Sequence, residues 1–426
     1  MKRVLMVAYH FPPLAGSSGI QRTLRFVQHL PSFGWQPLVL TCHPRAYPRL
    51  SDDLQSTIPP DTIVRRAFAI DTAKHLSVGG RYLQALARPD RWISWKPAAV
   101  REGLKMIEQF NPDVIWSTYP IATAHLIGAE LAKRTGLPWV ADFRDPMAQE
   151  GYPADPKTWQ HFQAIEGVAM QRAAINLFTT PGAARRYRDR YPEARNRIEI
   201  LENGFDEDSF ASIEHHPQAR GPLHSGLITI LHSGIVYPSE RDPTRFFEAL
   251  GQLKAVHSQR FDKLKIRFRA SENEETLQRL TRIHALEDII EICPPIGYQS
   301  ALAEMKRADA LLVLQGANCS EQVPAKVYEY LRAKRPILCL SSEGSDTEDV
   351  LRKAGVTAFA PLDSLDQIIK ILPGFLASVR DNSASLPDPT RLSSASRKGR
   401  SMVLAGLMNT ICSTLGAASP AARPLP

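Results

Sequence analysis

Along the chain, short apolar runs alternate with stretches whose apolar residues recur every three or four positions. Residues 3–8, 37–41, 114–117 and 138–142 have the length and apolar density of buried strands. Between them, 21–30 and 121–135 carry helical spacing, the second closed by Gly136. The second half repeats the alternation. Residues 229–233, 265–269, 289–293, 310–314 and 336–341 read as strands, and 246–257, 276–283, 300–306 and 324–333 as helices. Repetition of this kind predicts α/β architecture with parallel, doubly wound sheets. We expect a first domain over 1–205, a linker over 206–226 and a second domain over 227–385. A terminal helix within 386–415 is expected to return to the first domain, followed by an Ala-, Pro- and Ser-rich disordered tail at 416–426. Two such domains leave a cleft, and doubly wound sheets bind ligands off the carboxyl ends of their strands.

Composition narrows the class. The 426 residues suit two or three domains at roughly 150 residues each. An apolar fraction of 43% and a charged fraction of 23% are those of a soluble globular protein. Five dispersed cysteines without a CxxC pair point to a reducing compartment rather than a disulfide framework or structural zinc. The start, Met1-Lys2-Arg3 and then Val4 to Ala8, meets Pro12-Pro13 too soon for a signal peptide. No apolar run approaches the ~20 residues that span a bilayer. The expected location is cytoplasmic, with peripheral contact at the cytoplasmic membrane face left open. A net charge of +8 permits an anionic partner, either lipid or a diphosphate ligand. Nucleic acid is not expected, because no zinc finger, RNP sequence or basic helical array is present.

The sharpest local signal is Ser320-Glu321-Gln322-Val323-Pro324-Ala325-Lys326-Val327-Tyr328-Glu329-Tyr330-Leu331. Pro324 suits the first position of a helix, where its missing N–H costs nothing. Lys326 then lies in the first turn, where the helix dipole disfavours a cation by about 0.3 kcal/mol or more. An anion at that terminus reverses the sign, since free N–H groups and Lys326 would both face it. The alternative is an exposed lysine between two solvated carboxylates.

With its Glu-x7-Glu spacing, Glu321 to Glu329, the sequence resembles the retaining glycosyltransferases of the GT-B fold, family 4. The resemblance runs from the first strand to about residue 375. It implies two Rossmann-like domains facing across a cleft. It also implies that Glu321 bonds the donor-sugar hydroxyls, that Glu329 bonds the ribose hydroxyls, and that Lys326 with the backbone near Val323 and Pro324 holds the diphosphate. A glycine loop after the first strand, with Gly16 and Gly19 and then Arg22 one turn on, would face the donor. By itself that loop is weak, since it is not G-x-G-x-x-G and an ordinary strand–helix turn fits equally. After Leu231-His232-Ser233-Gly234, the family places a basic pair that neutralises the departing diphosphate. Arg241 matches one member, with Gly234 allowing close approach, and the other basic residue is missing.

Asp142-Phe143-Arg144-Asp145 ends a first-domain strand where many relatives carry His-Asp. Arg144 stands at the histidine position, so a histidine-based role is not expected. Arg144 and Asp145 are candidates for substrate contact, against the option that Asp142 and Arg144 only pair with each other. Asp206-Glu207-Asp208 formally matches a D-x-D metal motif, but its setting marks it as a structural turn, and no essential metal or cofactor is expected. His125 reads as a helix-packing residue. Residues 81–105 interleave Arg81, Arg88, Arg91, Lys96, Arg101 and Lys105 with Trp92 and Trp95, which suits either a membrane interface or a helix pair with core tryptophans. The function implied is transfer of a sugar, with retention, from a nucleotide-diphosphate sugar to a hydroxyl acceptor such as a glycan or lipid-linked glycan. The alternatives are a sugar-nucleotide epimerase of the same fold or an inactive nucleotide-sugar-binding protein.

Overall fold

A computed structural model describes residues 1–15, 19–214, 219–388, 390 and 395–417. The chain divides into two compact units, 1–202 with 397–426, and 203–396. The described part of the first unit builds a parallel seven-stranded sheet. Its strands are β1 Lys2–Val7, β2 Trp35–Cys42, β3 Ile63–Ala67, β4 Val114–Thr118, β5 Trp139–Arg144, β6 Ile175–Phe178 and β7 Ile198–Ile200, in the order β3-β2-β1-β4-β5-β6-β7. The second unit builds a parallel six-stranded sheet from β8 Ile228–Ser233, β9 Leu264–Arg269, β10 Ile290–Cys293, β11 Ala310–Leu314, β12 Ile337–Leu340 and β13 Ala358–Ala360. Its order is β10-β9-β8-β11-β12-β13.

Helices cover both faces of each sheet, which explains why the strands read as continuous apolar runs. In β1, Leu5 and Val7 enter one core layer and Val4 and Met6 the opposite one. In β8, Ile230 and Leu231 divide in the same way. The order reverses between β1 and β4 and again between β8 and β11. Doubly wound sheets bind ligands outside the carboxyl ends at such reversals.

Several elements depart from the sequence expectations. β3 is an edge strand whose Arg65 and Arg66 obscured its apolar alternation. The helix Trp95–Phe110 falls partly within 81–105, where a helix pair was one reading, while the helices Pro156–Arg172, Asp346–Lys353 and Leu365–Arg380 were not anticipated, the last containing Pro373. The stretch expected as a linker holds the helix Glu207–Glu214, which packs within the second unit on the helix Tyr298–Arg307. The terminal helix spans Arg397–Ala417 and packs on the helix Gly19–His29, burying Leu404 and Met408 beside Leu24 and Trp35. The expected tail beyond it, 418–426, lies outside the described residues. No helix among the described residues is long and apolar enough to cross a membrane.

Candidate functional site

In the second unit the polar residues gather where the sheet order reverses. β8 ends at Ser233, and Gly234 follows with φ +109, a conformation that favours glycine. A Cβ at Gly234 would stand 3.4 Å from Lys326 Nζ, so backbone and ammonium face each other closely. Lys326 sits at the start of the helix Ala325–Ala333, which has no acidic residue in its first turn and no side-chain cap. Pro324 is the residue before the first turn rather than its first member, one position earlier than expected. Its extended ψ of 134 turns the chain into the helix.

Lys326 is half-buried, and its ammonium finds no carboxylate within ion-pair distance among the described residues. Its partner is His232, whose Nε2 lies 3.0 Å from Nζ. On the other side of the ring, His232 Nδ1 stands 3.0 Å from the Leu312 carbonyl oxygen. A carbonyl only accepts, so Nδ1 carries the proton and Nε2 offers its lone pair to Lys326. Burial, and then the cations Lys326 and Arg241, hold the His232 pKa well below its ordinary value. Burial, and then Arg241, likewise push the Lys326 pKa well down, against a smaller opposing pull from Glu329. The site therefore concentrates positive charge, with no carboxylate at ion-pair distance from Lys326 among the described residues.

The surrounding contacts fix this arrangement. The Ser233 N–H donates to Tyr330 Oη at 2.8 Å, tying the β8 end to the Lys326 helix. Arg241 donates from Nη1 to the Ile235 carbonyl at 2.7 Å and lies over the Tyr237 ring. It is thus held by backbone and an aromatic face. Glu329, one helical turn beyond Lys326, accepts from Tyr298 Oη at 2.9 Å. Glu321 lies half-buried in the loop before the helix. Buried Gln315 clamps that loop, donating to the Cys319 and Gln322 carbonyls at 2.7 and 2.8 Å. Thr347 also donates to the Gln322 carbonyl, and Val323 is buried.

In the first unit, Arg144 closes β5 with φ +64, past a register shift between Asp142 and Arg144. Such a φ is strained for a residue with a side chain and recurs at functional positions. The residue is 9% exposed, Nη1 donates to the Tyr119 carbonyl at 3.4 Å, and Nε has no partner among the described residues. A Cβ at Gly19 would fall 2.8 Å from Arg144 Nη1 and 2.7 Å from His10 Nδ1, so only glycine fits there. Burial pushes the Asp145 carboxyl above the usual carboxylate range and lowers the Arg144 pKa. Burial and then Arg144 take His10 down to about 3. Gly16 lies outside the described residues.

Asp142 does not pair with Arg144. It takes Arg22 instead, through two bonds of 2.8 Å, and accepts a third from Thr118. Arg22 also donates to the Leu201 carbonyl and is buried, which assigns it to structure rather than to ligand. Its partner is 120 residues away, and no local pattern announces it. Buried Glu166 accepts from Tyr191 Oη, Arg190 Nη1 and the Ala148 N–H, bracing the loop after Asp145. Asp206 bonds the Ser209 N–H at the start of the helix Glu207–Glu214, and Glu207 accepts from Arg332. His125 is fully buried against Ser117 and Phe143. His232 escaped sequence reasoning because a histidine in a buried strand usually serves packing; its position two residues before Gly234 was the available signal.

Residues 18–204 match the family described as a glycosyl transferase 4-like domain. Among curated proteins no sequence matches the chain. Its fold is similar to that of sucrose-phosphate synthase from Thermosynechococcus elongatus, with TM-score 0.61, 14% identity, and 98% of this chain and 100% of that one covered. It is similar to Anabaena HepE in complex with UDP-glucose, with TM-score 0.59, 12% identity, and coverage of 98% and 100%. It is also similar to α,α-trehalose 6-phosphate synthase from Burkholderia multivorans, with TM-score 0.63, 12% identity, and both chains covered at 100%. Residues 18–204 thus match the model of a glycosyl transferase 4-like domain, in a chain whose two Rossmann-like sheets have the GT-B fold.

Proposed function

We propose that the chain transfers a sugar, with retention, from a nucleotide-diphosphate sugar to a hydroxyl acceptor, a glycan or lipid-linked glycan. The observation that carries this reading is Lys326: an ammonium at a helix N-terminus, beside Arg241 and Gly234, with no carboxylate partner among the described residues. Breaking a glycosyl–phosphate bond builds negative charge on the departing diphosphate. Fixed cations and helix N–H groups aimed at that charge are the largest stabilising contribution such a site can make. Lys326, Arg241 and the start of the Ala325–Ala333 helix supply them in this reading. Glu329, steadied by Tyr298, takes the ribose hydroxyls, and Glu321 takes the donor sugar. On the first unit, Gly19 faces the donor and Arg144 and Asp145 contact substrate in this reading. The structures of HepE with UDP-glucose and of MnaA with UDP, both similar in fold, make a uridine nucleotide the first donor to try.

In this reading a donor phosphate oxygen takes the acceptor proton, so neither a protein base nor a metal or other cofactor is required, and the enzyme works in the cytoplasm without nucleic acid. The test is product analysis with purified protein, donor and candidate acceptors. A retained anomeric linkage formed in the presence of a chelator supports the proposal. An inverted linkage, or conversion of donor alone into a second nucleotide sugar, contradicts it.

Glu329→Ala is expected to raise the donor KM by about 10- to 100-fold with a smaller change in kcat, the size of a hydrogen bond to a charged group. Steady-state kinetics separates the two constants. Donor affinity is also expected to depend on pH. Below its lowered pKa in the empty site, Lys326 is charged before and after binding. Above it, binding must charge the lysine, so a proton is taken up and affinity falls as pH rises. A sugar nucleotide, whose doubly esterified diphosphate does not titrate near neutrality, isolates this effect in calorimetry. Lys326→Met should flatten the profile.

A further inference from the structure

The tryptophans once open to a membrane role are taken up by the fold. Trp95 is fully buried, and Trp92 donates its indole N–H to the Ala46 carbonyl and packs against Tyr9. The exposed apolar surface lies nearby instead, in the segment that follows β3. Phe68, Leu76, Val78, Leu83 and Leu86 are all exposed there, Val78 at 86% and Leu83 at 72%. Scattered exposed apolar residues are ordinary, but five large ones within one short segment need a partner.

Local contacts hold the segment together. The Arg45 guanidinium, from the loop after β2, lies over the Phe68 ring. Thr72 Oγ1 donates to the Leu86 carbonyl at 3.0 Å, drawing the two ends of the segment close. Val78 and Arg81 exchange backbone bonds of 2.8 and 3.1 Å around Gly79 and Gly80, which take φ +57 and +75. That tight turn presents Val78 at its shoulder and Arg81 across from it. Lys74 and Arg81, within the segment, and Arg45, over Phe68, are exposed as well. Between residues 62 and 89 the only carboxylate is Asp71, which is buried and paired with Arg91. Within the segment Phe68 to Leu86 the exposed charges are therefore basic, while Asp155, paired with Arg88, lies just beyond its end.

We propose that this surface, Phe68 to Leu86 with Arg45, docks the first unit on an anionic lipid bilayer. Apolar side chains enter the headgroup–acyl boundary while the arginines and lysine meet lipid phosphates. A water-soluble protein partner would be expected to meet both signs of charge within the segment, and between Phe68 and Leu86 the exposed charges are basic alone. The inference does not rest on the transfer chemistry, because lipid binding and donor binding can fail separately.

Co-sedimentation of the full chain with vesicles tests it, using phosphatidylcholine alone and phosphatidylcholine with roughly a third phosphatidylglycerol. Binding is expected on the anionic vesicles and to be weaker by about tenfold or more on the neutral ones. Val78→Ser with Leu83→Ser should cost about tenfold or more in binding. Lys74→Glu and Arg81→Glu should each cost about fivefold or more, and Ile283→Ser, at an exposed apolar position of the second unit, should change nothing. Thermal melting checks that each variant is folded; should the serine pair unfold, the charge variants decide. Absent binding, binding indifferent to these substitutions, or self-association of the wild type that the serine pair abolishes would each overturn the proposal.

Discussion

Replacing Lys326 by methionine is expected to lower kcat by roughly 100- to 1,000-fold, the loss seen when one fixed donor to a developing anion is removed. The effect should fall on kcat more than on KM, since the charge it answers is largest as the diphosphate departs. The same substitution should leave the melting temperature of the ligand-free protein unchanged or higher. Lys326 lies in a poorly solvated position near Arg241, with His232 as its partner, and its ammonium is disfavoured there. Removing a cation of this kind relieves the fold rather than weakening it. This pair of outcomes separates a residue kept for chemistry from one kept for packing. Steady-state kinetics and a thermal melt on one preparation measure both. Near-normal turnover with a lowered melting temperature would reverse the assignment.

Asp142→Ala is expected to destabilise the first unit by about 3–5 kcal/mol, the cost of removing one member of a buried ion pair. Arg22 would keep its charge, buried, beside the Leu201 and Glu202 carbonyls and the Phe26 ring. Set against total stabilities of about 5–15 kcal/mol, this is a large fraction. Urea denaturation followed by fluorescence measures it. Asp142→Asn keeps the shape and some hydrogen bonding and should cost less. A variant as stable as the wild type would show that the pair contributes nothing, and Asp142 would return to the candidate chemistry.

The architecture was legible where burial on both faces leaves uninterrupted apolar runs. β1, β4, β5, β8 and β11 could all be found in this way. It was illegible where an element lies at an edge or is very short. β3 is a border strand whose apolar pattern is broken by Arg65 and Arg66, and β7 spans only Ile198–Ile200. The candidate site divides along similar lines. Pro324, Lys326 and Glu329 are neighbours on one helix, so spacing alone brings them together, and only the helix start was off by one residue. Gly234 and Arg241 came from the family resemblance at the end of a strand. The roles of His232, Tyr298 and Arg22 depend on contacts 94, 31 and 120 residues distant in sequence. No pattern along the chain encodes which distant residue will face a given side chain. Asp142 shows the consequence: its adjacent partner looked to be Arg144, and the fold delivered Arg22.

The most direct test is a thermal-shift series with nucleoside diphosphates and sugar nucleotides on the wild type and on Lys326→Met. A ligand at 100 times its Kd adds about 2.7 kcal/mol, enough to raise the melting temperature by roughly 5–10 °C in a unit of this size. A diphosphate docked on Lys326 predicts such a rise for one nucleobase in the wild type and a smaller one in the variant, the difference being largest for the nucleoside diphosphate, whose charge is that of the departed product. No shift with any nucleotide, or the same shift in both proteins, would contradict it.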